Sequence, residues 1–157
     1  MAASNEKIPT AKTPAGWEFT ITRVFDAPRA LVFEMWTKPE HLVRWWGPTG
    51  ITMPVCEVDF RVGGALRFVF RGPDGKEHRA EGIYREIVVP ERIVFISTLH
   101  FVPGDEVRTT VTFTEHDGKT TLTMHRIHSV ESDSIKDEAA GWSQVLDKLA
   151  ATLAARR

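Results

Sequence analysis

Between Trp17 and Phe25 apolar and polar residues alternate, with Trp17, Phe19 and Ile21 on one parity and a slip of the pattern at Val24 and Phe25. A period of two marks a strand with one buried face, so the first strand is expected here. Asp26 then supplies a cap and Pro28 a first-turn proline, while Leu31, Val32, Met35 and Trp36 recur at spacings of three and four, which predicts a short helix. Pro39 opens a second helical turn, ended by Trp45-Trp46-Gly47-Pro48 because Gly-Pro cannot continue a helix. From there the pattern is β. Turn signals at Pro73-Asp74-Gly75, Pro90, Pro103-Gly104-Asp105 and Asp117-Gly118 separate runs of strand length. About seven antiparallel strands, counting the first, then form a meander wide enough to curl. The last segment changes period: Ile135, Ala139, Trp142, Leu146, Leu149 and Leu153 make one apolar stripe, and Ser134 with Asp137 has the spacing of a capping box. The expected fold is α+β, a curved antiparallel sheet wrapped around a long C-terminal helix, with two short helices after the first strand.

Strand parity also says which residues face that helix. Leu66, Phe68 and Phe70 share one face, as do Val107, Val111 and Phe113 on a later strand and Leu122 and Met124 on the next. The same parity carries Arg126, with His128 beyond it, onto the apolar side, where a cation is costly unless paired or close to an opening. Arg126 is therefore either a rim residue that snorkels to water or a group that orients a ligand's carboxylate or carbonyl. Small-molecule sites are apolar spaces lined by aromatics with a few polar groups. The candidate lining is Trp36, Trp45, Trp46, Phe68, Phe70, Tyr84, His100, Phe113, Met124, Arg126, Trp142 and Leu146. The adjacent Trp45 and Trp46 are not expected to enter one core together, so at least one of them should border an opening or a ligand. Tyr84, the only tyrosine, serves equally well as a buried structural hydrogen-bonding group.

The 157 residues fit one domain: a flexible tail over 1–16, with Pro9, Pro14 and scattered polar residues, and a folded unit over 17–157. With 20 Lys+Arg against 21 Asp+Glu the net charge is -1, which gives no long-range attraction for nucleic acid. No run approaches the roughly 18 apolar residues of a membrane span. A lone Cys56 allows neither an intrachain disulfide nor a cysteine metal cage and suits a reducing cytoplasm. His125 and His128 lie three apart on a strand and so face opposite ways, which argues against a shared metal. Val62-Gly63-Gly64-Ala65 is too short to cradle phosphate and reads as a bend before a strand. Phosphate-binding loops, nucleophile elbows and His-Glu-x-x-His are all missing, and no cofactor is implied.

The stretch from Phe25-Asp26-Ala27-Pro28-Arg29 to Trp36-Thr37, followed by Pro39-Glu40-His41-Leu42 and Trp45-Trp46-Gly47-Pro48, resembles the START-like, or SRPBCC, superfamily. Its branch is similar to the domain of activators of the heat-shock-protein-90 ATPase. Asp59 to Gly64, Gly82 to Ile87, Pro90 to Phe95 and Gly141-Trp142 add to the likeness. The resemblance implies a helix-grip fold whose members hold a small hydrophobic molecule between sheet and helix. It also implies three functions that stay open: a carrier or sensor of such a molecule, a chaperone-associated domain linked to stress response, and a cavity enzyme of cyclase or hydrolase type. The enzyme would need an inward acid or base, for which Tyr84, Glu86 and His100 are the candidates. The expected partner is a small hydrophobic molecule, with a chaperone as the alternative, and the chain is expected as a monomer or homodimer.

Overall fold

Residues 10–13, 16–47, 50–99, 106–129 and 134–155 are described by a computed structural model of the chain. Strands β1 (Thr10–Thr13) and β2 (Gly16–Phe25) lead into helices α1 (Arg29–Glu34) and α2 (Pro39–Trp45). Strands β3 (Thr52–Val58), β4 (Ala65–Arg71), β5 (Glu77–Val88), β6 (Arg92–Leu99), β7 (Glu106–His116) and β8 (Lys119–His128) follow, and α3 (Ser134–Ala155) ends the described chain. They form one antiparallel sheet in the order β1-β2-β8-β7-β6-β5-β4-β3. Every neighbouring pair from β3 to β8 is consecutive in sequence, and β2 closes against β8. This is the helix-grip fold, with α3 lying across the concave face.

Alternation in β2 does not slip. Phe19, Ile21, Arg23 and Phe25 are all buried and Val24 is exposed, so an arginine occupies an inward position that the apolar pattern passed over. Its charge is met by α3: Arg23 Nη1 donates to Asp147 Oδ1 at 2.6 Å and Nη2 to Ser143 Oγ at 3.3 Å. The apolar stripe of α3 is buried at Ala139, Trp142, Leu146, Leu149 and Leu153, and Val145 joins it. The side chains of Trp17, Ile135 and the capping-box pair Ser134 and Asp137 lie outside the described residues, as does the turn Pro103-Gly104-Asp105.

Part of the expected flexible tail is a strand. Thr10–Thr13 pairs with β2 from Thr10↔Phe19 to Thr13↔Gly16. An edge strand of this kind is held by its backbone ladder, and Thr-Ala-Lys-Thr offers no apolar alternation by which to read it. Residues 1–9, 14 and 15 lie outside the described residues.

The glycine segment is a bend, as its length predicts. Gly64 N–H donates to Arg61 O at 2.8 Å and Asp59 N–H to Ala65 O at 2.9 Å, folding the chain so tightly that a Cβ on Gly64 would sit 2.0 Å from Asp59 O. At the β7–β8 turn, Asp117 and Gly118 both adopt positive φ (52° and 75°), the conformation that a two-residue hairpin loop requires.

Candidate functional site

Toward β4, β5 and β6 the helix and sheet do not close on each other, leaving a cavity of about 320 Å³. Leu66, Phe68 and Phe70 of β4, Ala80 of β5 and Phe95 of β6 form its sheet wall, and Trp142 and Val145 of α3 form the opposite one. Trp46, Gly47 and Ile51, from the end of α2 and the loop after it, border one side together with the exposed His78. Small side chains leave the room: Ala80, Ser97 and Gly141 stand where larger residues would fill it. Trp46 stacks on Phe68 with ring centroids 5.2 Å apart and meets Trp142 edge-on at 5.1 Å, which holds the aromatic walls in place. Lys148 Nζ donates to Gly47 O at 2.9 Å and ties α3 to that loop; burial lowers its pKa.

The polar end of the cavity is a charge cluster. Arg126, its side chain 5% exposed, lies 2.7 Å from Glu138 Oε1, and the buried His128 places Nε2 2.9 Å from Glu138 Oε2. Burial alone would push the Glu138 carboxyl up, but Arg126 and His128 outweigh it and hold the carboxyl below its ordinary value. The Arg126 guanidinium also lies 5.2 Å from the Trp142 ring centroid, a cation–π contact. Buried polar atoms without a hydrogen-bond partner here include Arg126 Nε and Oγ1 of Thr109, the residue directly across the β7–β8 ladder. Ser97 also lines the cavity.

Of the residues proposed from sequence, Trp46, Phe68, Phe70, Arg126 and Trp142 line the cavity. Trp45, Phe113, Met124 and Leu146 are core instead. Trp45 is fully buried, its Nε1–H donating to Met35 O at 3.0 Å, and Phe113 packs against Phe33 and Trp36. Trp36 and Tyr84 stand behind the aromatic wall, around a void of only about 10 Å³. Burial pushes the Tyr84 phenol well above its usual range. His100 lies outside the described residues.

The tryptophan pair divides the expectation: both are buried in one core, yet Trp46 borders the cavity. Trp46 is the C-cap of α2 with an extended backbone (φ -73°, ψ 136°), so the helical spacing of side chains ends at Trp45. Glu86, a candidate acid or base, is exposed and ion-paired with Arg92, after a register shift between Tyr84 and Glu86. Arg126 is buried and paired, so it is no snorkelling rim residue. His125 and His128 do take opposite faces: His125 meets Glu18 at 3.2 Å on the outer side. Among the described residues no three His, Cys, Asp or Glu converge as a metal site, and no helix is long and apolar enough to cross a membrane.

Glu138 is the residue that sequence reasoning missed. It precedes Trp142 by four and lies on the flank of the apolar stripe, where a search for hydrophobic positions passes it by. The available signal was Arg126, since a buried cation predicts an acid on the element that covers it.

The family model for activator of Hsp90 ATPase homolog 1-like proteins matches residues 26–154. A protein of Chromobacterium violaceum is 28% identical over 85% of this chain and 94% of its own, with a TM-score of 0.78. One from Arthrobacter aurescens is 25% identical, covering 93% of this chain and 91% of its own at a TM-score of 0.76. The AHSA1 protein of Silicibacter pomeroyi shares the fold at 24% identity and a TM-score of 0.77, covering 89% of this chain and 99% of its own. No curated protein matches the chain.

Proposed function

Because the chain belongs to the family of activator of Hsp90 ATPase homolog 1-like proteins, within the SRPBCC superfamily, we propose that it is a carrier or sensor of a small hydrophobic molecule held between sheet and helix. The observation that carries this reading is the cavity itself, about 320 Å³ of unfilled space walled by Trp46, Phe68, Phe95 and Trp142. Protein interiors are otherwise close-packed, and a space of this size within an aromatic wall matches the volume and chemistry of small-molecule sites. The family's name suggests a chaperone partner, but the cavity favours a small ligand as the first reading.

A titration with a neutral bicyclic probe, 2-acetylnaphthalene, tests it. Trp46 and Trp142 border the cavity, so binding should change tryptophan emission with a Kd below about 100 μM. Ala80→Leu puts a larger side chain into the space and should abolish that binding while leaving a cooperative melting transition. No response at such concentrations, or binding indifferent to Ala80→Leu, would overturn the proposal.

A further inference from the structure

We propose that the polar end of the cavity, built by Arg126, Glu138 and Ser97, selects an uncharged hydrogen-bond acceptor, the carbonyl of a ketone, ester or amide, and disfavours a carboxylate; this rests on the ligand-binding reading above.

A lone buried guanidinium would call for an anion. Here that place is taken, because Glu138 Oε1 lies 2.7 Å from Arg126 Nη2. Arg126 and His128 outweigh burial and hold the Glu138 carboxyl below its ordinary value, so the guanidinium already faces a carboxylate before any ligand enters. Arg126 is also the only arginine or lysine among the residues described as lining the cavity. An entering carboxylate would lose its water in an aromatic space and meet the Glu138 carboxylate with no uncommitted lysine or arginine beside it.

What the site still offers is hydrogen bonding to a neutral group. Arg126 Nε is buried with no partner, and Ser97 presents a hydroxyl in the same lining. A carbonyl oxygen has two lone pairs and no charge, so it can accept from the donors of this lining while leaving the Arg126–Glu138 pair in place. The ligand class that results is a compact apolar, preferably aromatic, body with one carbonyl at its buried end.

Three probes of one shape separate the possibilities: 2-acetylnaphthalene, 2-naphthoate and 2-ethylnaphthalene, titrated near neutral pH. The wild-type protein should bind the ketone at least roughly tenfold more tightly than the carboxylate, a difference of about 1.4 kcal/mol. Glu138→Gln keeps the shape but strips Arg126 of its counter-charge, so 2-naphthoate should gain roughly tenfold or more relative to the ketone. The paired change Arg126→Met/Glu138→Met replaces the ion pair with apolar volume, an exchange that folds tend to tolerate. It should cut the ketone's affinity relative to 2-ethylnaphthalene by roughly tenfold, and it decides the matter if Glu138→Gln does not fold. Wild-type preference for 2-naphthoate, no gain of naphthoate in a folded Glu138→Gln, or an unchanged ratio in the double variant each overturns the carbonyl assignment. Failure of all three probes on the wild type overturns the ligand-binding reading instead.

Discussion

Glu138 has its carboxyl pKa raised by burial and lowered more by Arg126 and His128, so its folded value lies below its unfolded one. Such a group adds stability that is fully present above the unfolded pKa, about 4.3 for glutamate, and is lost as pH falls through the folded value. Urea denaturation at a series of acid pH values should show that loss in the wild type. Glu138→Gln should cost about 3 kcal/mol near neutral pH, because it leaves Arg126 without its counter-ion, and should lack this part of the acid limb. Parallel pH profiles for the two proteins would show that Glu138 is not held ionised by the cluster. Trp142 is a second residue whose surroundings set a magnitude. It lies parallel to Trp36 at 6.4 Å, meets Trp46 edge-on and carries Arg126 near its ring, yet its other side borders open space. Trp142→Ala should therefore cost about 3 kcal/mol, the lower end for a buried tryptophan, and a midpoint shift worth under about 1 kcal/mol would contradict the packing described. Arg126 was readable as inward because strand parity is a local rule. Its partner was not, because parity names a face and not the residue that the covering helix brings to it.

At the scale of elements, the bend between β3 and β4 sets two neighbouring glycines apart. Gly63 has φ +84° with nothing within 4 Å of a Cβ, so Gly63→Ala meets only backbone strain, about 1 to 2 kcal/mol. Gly64 has no positive φ, but its Cβ would lie 2.0 Å from a backbone oxygen, so Gly64→Ala must open the bend. It should cost at least about 3 kcal/mol and loosen the start of β4, which carries Leu66 and Phe68 into the cavity wall. Equal midpoints for the two variants in urea would mean that the bend yields easily. The bend itself was legible, since two adjacent glycines before an alternating strand have few other uses. Which glycine is limited by space was not, because that depends on the Asp59 carbonyl returning against the chain. Strand β2 carries a related lesson: Arg23 looked like a break in the apolar pattern, yet the period of two continues through it once Asp147 supplies the opposite charge.

For the whole molecule, the meander from β3 to β8 was legible because each strand pairs with its sequence neighbour across a turn with its own signature. The cavity was not, since Phe68, Phe113, Met124 and Leu146 are equally apolar and inward in the sequence. The positions of the helices over the sheet decide that Phe113, Met124 and Leu146 are sealed into the core while Phe68 faces open space. Strand β1 lies at the edge beyond β2, whereas the sheet wall of the cavity comes from β4, β5, β6 and β8. Deleting residues 1–13 should therefore separate stability from binding. The β1–β2 ladder pairs only Thr10 to Thr13 with β2, and ordering those residues offsets part of what their hydrogen bonds contribute, so urea denaturation should show a loss of about 1 kcal/mol. The uncovered edge of β2 should also increase self-association, seen as earlier elution at high protein concentration. Binding of 2-acetylnaphthalene should stay within about twofold of the full chain, since none of the described lining residues is removed and a twofold change is only about 0.4 kcal/mol. A truncated protein that keeps its stability but loses the probe would place the N-terminal segment at the cavity, and a loss above about 3 kcal/mol would make it part of the core rather than an edge.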